Sequence, residues 1–177
     1  MTKCAYKYRF HPTTEQAQLL AQTFGCTRFV YNYILRWRTD AFYQRQEKIG
    51  YTQASAKLTA LKKEPEFAWL NDVSSVPLQQ ALRHQQTAFS NFFAGRAAYP
   101  AFKSKRHKQA AELTASAFKY RDGKLYMAKS KTPLLLPMIC GVPISFRVDS
   151  IMEKCMDYAF RTIFIALNLP LDDFSEN

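Results

Sequence analysis

From Thr13 to Gly95 the apolar residues of this chain return every three or four positions, whereas before that span Ala5–Phe10 alternates at every second position, and beyond it the hairpin-turn dipeptide Asp122-Gly123 signals strands again. The first period is that of helices and the second that of strands. A chain patterned this way must interpose a helical layer between strands that are distant in sequence.

The strand before the helices is Ala5–Phe10, AYKYRF, with Tyr6, Tyr8 and Phe10 on one face and Lys7 and Arg9 on the other. His11-Pro12 ends it. Thr13-Thr14-Glu15-Gln16 reads as a capping box, with Thr13 as N-cap, and predicts a helix to about Phe24 that stops at Gly25. A second amphipathic helix runs from Thr27 to about Gln46, its apolar positions being Phe29, Val30, Tyr33, Ile34, Trp37 and Ala41. Thr52 caps a third helix through Leu61, ended by Lys62-Lys63 and Pro65. Ser74 or Ser75, with Pro77 in the first turn, starts a fourth that carries Leu78, Leu82, Phe89, Phe92 and Phe93 and stops at Gly95. Four helices on short connections make a bundle.

Strands return with Phe118–Arg121 and Leu125–Met127, which flank Asp122-Gly123, a hairpin-turn dipeptide. The fold class expected is therefore α+β: a helical bundle over residues 13–95, inserted into a small β-barrel built by residues 1–12 and 96–134. Beyond lies a tail, residues 135–177, with a helix expected from about Ser150 to Leu167.

Charge divides the chain near the same point. Residues 1–132 hold 22 Lys and Arg against 8 Asp and Glu, and residues 133–177 hold 3 against 6. Within the basic part, no acid occurs from Val73 through Ala111, while Arg83, Arg96, Lys103, Lys105, Arg106 and Lys108 all do. A net charge of +11 makes a polyanion the first partner to consider. The cations recur across helices, linker and strands rather than on the polar face of one amphipathic helix, which favours nucleic acid over a membrane surface. Tyr99, Phe102, Phe118, Tyr120 and Tyr126 interleave with them, the combination that follows a phosphate backbone and supports bases or riboses. A charge run is otherwise a solvated face, and core packing is the commoner fate of any one of these aromatics.

Sites of other kinds are poorly supported. Cys4, Cys26, Cys140 and Cys155 form no C-x-x-C pair, and reduced thiols in a cytosolic protein are expected. No phosphate loop, G-x-G-x-x-G, H-E-x-x-H or G-x-S-x-G motif occurs, and no cofactor, metal or membrane span is expected. His11, His84 and His107 read as surface or phosphate-contacting residues rather than metal ligands.

The blocks AYKYRFHPTTEQAQLLAQTFGCTRFVYNYIL, YTQASAKLTALKKEPEFAWLNDV, PLQQALRHQQTAFSNFFAGRAAYPAFKSKR and FKYRDGKLYMAKSKTPL resemble, in this order, the amino-terminal half of the TnpB/OrfB family. These are transposon-encoded, RNA-guided DNA nucleases. The resemblance covers about Lys3 to Leu134, and its most specific blocks are GCTRFVYN, FAWLNDV and YPAFKSKR. It implies a wedge-type β-barrel and an inserted recognition lobe, a helix-turn-helix region, that hold a guide RNA–DNA duplex by its backbone and read a short flanking DNA motif. Tyr51, Ser55 and Gln79 fall at motif-contacting positions, and Arg96, Lys103, Lys105, Arg106 and Lys108 are the residues expected on phosphates.

The resemblance stops after KSKTPL, where relatives continue into a nuclease domain with three catalytic acids and paired cysteines. Asp149 bears only a superficial likeness to the first of those acids. The reading implied is a truncated, non-cleaving nucleic-acid binder of a bacterial or archaeal cytoplasm, nucleoid-associated when on DNA. The alternative is a component of an active cleavage or transposition system completed by a full-length nuclease relative.

Overall fold

A computed structural model describes residues 12–107, 109–121, 124–134 and 162–167, of which Tyr120 and residues 162–167 are described by their backbone alone. The expected strand Ala5–Phe10, the turn Asp122-Gly123, Lys108, Asp149 and most of the tail lie outside the described residues.

The helical layer comprises α1 (Thr14–Arg45), α2 (Tyr51–Leu61), a 3-10 helix (Pro65–Asn71) and α3 (Ser75–Phe93). The capping box at Thr13 forms as expected, with the Gln16 N–H donating to Thr13 Oγ1 and the Thr13 N–H to Gln16 Oε1. Gln16 is also buried, and its Nε2 donates to Thr132 Oγ1 and the Pro133 carbonyl, both at 2.9 Å, which ties the start of α1 to the end of the strand region.

The break expected at Gly25 does not occur: α1 runs on for 32 residues. A glycine inside a helix costs only about 1 kcal/mol relative to alanine. Here Phe24 and Cys26 on either side of it are buried in two different clusters, and each is reached only if the helix is unbroken. A second correction concerns α2, which starts two residues early. Its N-cap is Gly50, whose N–H donates to Gln53 Oε1, and Thr52 is exposed inside the helix. The 3-10 helix replaces a stretch expected as connection, so that Leu70 and Val73 enter the core. α3 starts at its Ser74 cap as expected. It closes in a Schellman motif, where the Arg96 N–H reaches the Asn91 carbonyl, the Gly95 N–H reaches that of Phe92, and Gly95 takes φ +68°.

The strands are β1 (Gln109–Thr114), β2 (Phe118–Arg121), β3 (Lys124–Met127) and β4 (Thr162–Leu167). β2 and β3 pair antiparallel as the expected hairpin. β4 overturns the helix expected across its residues, pairing antiparallel with β1 from Gln109↔Leu167 to Thr114↔Thr162. Its sequence TIFIAL is rich in β-branched residues, which fit a pleated surface better than a helix. The described strands thus make two two-stranded sheets, and a closed barrel is not formed among them.

Two main clusters hold the layers together. Leu20 and Phe24 of α1 pack with Ala111, Leu113, Phe118, Leu125, Met127 and Leu134 beneath the strands. Val30 and Ile34, further along α1, pack with Leu58, Leu61, Leu70, Leu78 and Leu82 of the other helices. α1 is the spine common to both.

Candidate nucleic-acid interface

α2 and α3 bring the three expected motif residues together. Tyr51 opens α2, Ser55 lies one turn on, and Gln79 faces both from the first turns of α3. The Tyr51 hydroxyl donates to Gln79 Oε1 at 3.1 Å and the Ser55 hydroxyl to the same oxygen at 3.2 Å. All three are half-buried. With its oxygen engaged twice, Gln79 keeps its amide donors for another partner. Arg83, one turn after Gln79, places its guanidinium carbon 5.4 Å from the centre of the Tyr51 ring. Sequence reasoning noted Arg83 as a cation and did not assign it here; its spacing of four from Gln79 was the available signal.

The linker after α3 carries the basic residues. Arg96, Lys105 and Arg106 are exposed, as is Phe102. Lys103 is exposed as well, but part of its side chain is covered. Its backbone pairs with the Asn32 side chain, and its ammonium lies 4.4 Å from the centre of the buried Tyr31 ring, where burial lowers its pKa. The expected aromatic partners divide as well. Tyr99 packs edge-on against Phe89 and Phe92 and shares a hydrogen bond with Thr39, whereas Phe118 is buried beneath the strands.

α1 contributes cations of its own. Arg38 is 8 % exposed, and burial lowers its pKa. It stacks on Phe89 and donates to Gln85 and Gln86, neutral amides rather than a carboxylate. Arg28 donates to Gln109 Oε1 at 2.8 Å. His84, expected at the surface or on phosphate, pairs with Glu112 and so joins α3 to β1. Among the described residues no group of three His, Cys, Asp or Glu could hold a metal, and no helix is long and apolar enough to cross a membrane.

The three most specific sequence blocks meet in space. Phe29 of GCTRFVYN packs tilted against Phe67 and edge-on against Trp69 of FAWLNDV, while Tyr31 and Asn32 hold Lys103 of YPAFKSKR. Two hydroxyls thus converge on one amide between α2 and α3, and the linker after α3 carries cations and no acid. A helix-turn-helix domain of the OrfB type matches residues 1–47, of which the described part belongs largely to α1.

Among curated proteins, one of Streptomyces pristinaespiralis named as an RNA-guided DNA endonuclease is 57 % identical over 133 residues, 75 % of this chain and 33 % of that protein. The RNA-guided DNA endonuclease InsQ of Escherichia coli strain K12 is 30 % identical over 135 residues, 76 % of this chain and 32 % of its own. The virulence protein VsdF of Salmonella dublin is 34 % identical over 113 residues, 59 % of this chain and 95 % of its own. The chain belongs to the TnpB/OrfB family, and it spans about a third of the length of the two endonuclease relatives.

Proposed function

We propose that this chain binds nucleic acid without cutting it. Residues 13–95 act as the recognition lobe, and residues 1–12 with 96–134 as the wedge. Tyr51, Ser55 and Gln79 read a short DNA motif, while Arg96, Lys103, Lys105, Arg106 and Lys108 hold the backbone of a guide RNA–DNA duplex. The observation that carries this reading is the convergence of the Tyr51 and Ser55 hydroxyls on Gln79 Oε1, which fixes a polar cluster between two helices. An amide and hydroxyls held in this way suit base edges, and cations suit phosphates. The part of the endonuclease relatives matched here is about a third of their length, and binding is the role we assign to that part.

The test is to recover and sequence the nucleic acid that co-purifies with the chain and to measure affinity across a salt series. A common flanking motif and a salt-dependent affinity are expected. Recovery at background level, or an affinity indifferent to salt, contradicts the proposal.

A second reading is favoured by the names of the two longer relatives. In it the chain works with a full-length or separately encoded nuclease in RNA-guided cleavage or transposition. Addition of the chain to such a nuclease then changes cleavage of a motif-bearing duplex, whereas a pure binder only competes for it.

A further inference from the structure

We propose that Arg28, Lys105 and Arg106 form one phosphodiester-binding site whose shape is set by Gln109. This inference rests on the nucleic-acid reading above and adds Arg28 and Gln109 to it. Arg28 leaves α1 half-buried, and its Nη1 donates to Gln109 Oε1 at 2.8 Å. That bond decides which way the carboxamide faces. Gln109 Nε2 is turned the other way and donates to the carbonyls of Ser104 at 3.2 Å, Lys105 at 3.0 Å and His107 at 2.6 Å. The turn is closed further by the His107 N–H on the Ser104 carbonyl and the Arg106 N–H on Ser104 Oγ.

Both ends of the turn are moored to α1. Asn32 holds Lys103 at the entrance, and Arg28, one helical turn earlier, holds Gln109 at the exit. The electrostatic consequence is specific. Three carbonyl oxygens, which would repel an anion, are gathered onto one amide on the inner side of the turn, and Lys105 and Arg106 are exposed. Among the described residues neither these two nor Arg28 has a carboxylate partner; the carboxylates that meet a basic side chain there do so in Arg36–Asp40, Arg45–Glu47 and His84–Glu112. Arg28 gives one of its five N–H groups to Gln109 and keeps the others for an anion. Its guanidinium fork fits a phosphate. The ligand chemistry is a phosphodiester, because the groups the turn offers are cations, which suit a phosphate whatever base it carries, while the Gln109 carboxamide is committed to Arg28 and the backbone.

The experiment uses the full chain and a fluorescently labelled duplex of random sequence, titrated at several salt concentrations. Gln109→Ala removes no charge. It is nevertheless expected to weaken binding about fivefold and to lower the salt slope by roughly one unit, because the cations no longer converge. Arg106→Ala should lower the slope by a similar amount. The double variant should lose less than the product of the two, since Gln109 acts through the cations of the turn. An unchanged affinity and slope for Gln109→Ala, or strictly multiplicative losses, would overturn the site.

Should Gln109→Ala unfold the chain, judged by circular dichroism, Arg28→Ala and Lys105→Ala decide. Each must lower the slope, and an unchanged slope for either overturns the proposal. A wild-type chain that binds no duplex at any salt refutes the nucleic-acid reading itself, whereas wild-type binding with a silent Gln109 refutes this site alone.

Discussion

Asn32 and Lys103, 71 positions apart, pair as neighbouring strand residues do: Asn32 Nδ2 donates to the Lys103 carbonyl at 2.9 Å, and the Lys103 N–H donates to Asn32 Oδ1 at 2.8 Å. A carboxamide is the side chain that can satisfy both backbone groups of an irregular segment at once. With Tyr31 beneath the ammonium, this pair fixes where the basic linker crosses α1.

Removing that pair should loosen the linker without dismantling the core. Asn32→Ala is expected to cost about 1 kcal/mol, which for a chain of this size lowers the melting temperature by roughly 2–4 °C. Asn32→Asp keeps the acceptor and should cost less. Thermal unfolding followed by circular dichroism checks the order of the two.

The glycines of α1 and α3 predict opposite signs. Gly25 sits in an unbroken helix with open space around a built Cβ, so Gly25→Ala should stabilise by up to about 1 kcal/mol. Gly95 has equal space and a φ of +68°, so Gly95→Ala should destabilise by roughly 1 kcal/mol through backbone strain alone. Urea unfolding of the two variants gives the comparison, and equal signs would contradict the continuous α1.

Cys26 is buried between α1 and the other helices, and desolvation pushes its thiol up to about 11 from 9.0. In the folded chain it should resist iodoacetamide at neutral pH and react at the unfolded rate only in denaturant. The linkage has one sign. The folded state holds the proton more tightly, so its contribution is fully present below pH 9 and is lost between about 9 and 11, at about 1.4 kcal/mol for each unit of separation. Cys26→Ala should flatten that part of the stability profile.

If Gln79 contacts a base edge, Gln79→Ala should relax discrimination between the preferred motif and a scrambled one by about 1–3 kcal/mol. Affinity for the scrambled duplex and the salt slope should barely change. A uniform loss on both duplexes would instead make Gln79 a structural tie between α2 and α3.

Where a feature depended on residues close in sequence, it could be read before folding. The Thr13–Gln16 capping box, the Ser74 cap, the glycine stop after α3 and the β2–β3 hairpin each follow from a few adjacent residues whose local chemistry has one good solution. The acid-free linker and the family blocks were legible in the same way. Folding decided what needed partners from elsewhere. Gly25 remains helical because Phe24 and Cys26 must each reach a different cluster, and Thr162–Leu167 is a strand because β1 offers it an edge. Gln109 orders the basic turn only because Arg28, 81 residues earlier, fixes its amide. Sequence alone determined that this chain is basic, α+β and built to meet a polyanion. Only the tertiary structure decided which neighbours Arg28, Arg38 and Lys103 meet, because direction and desolvation belong to partners that the linear order does not reveal.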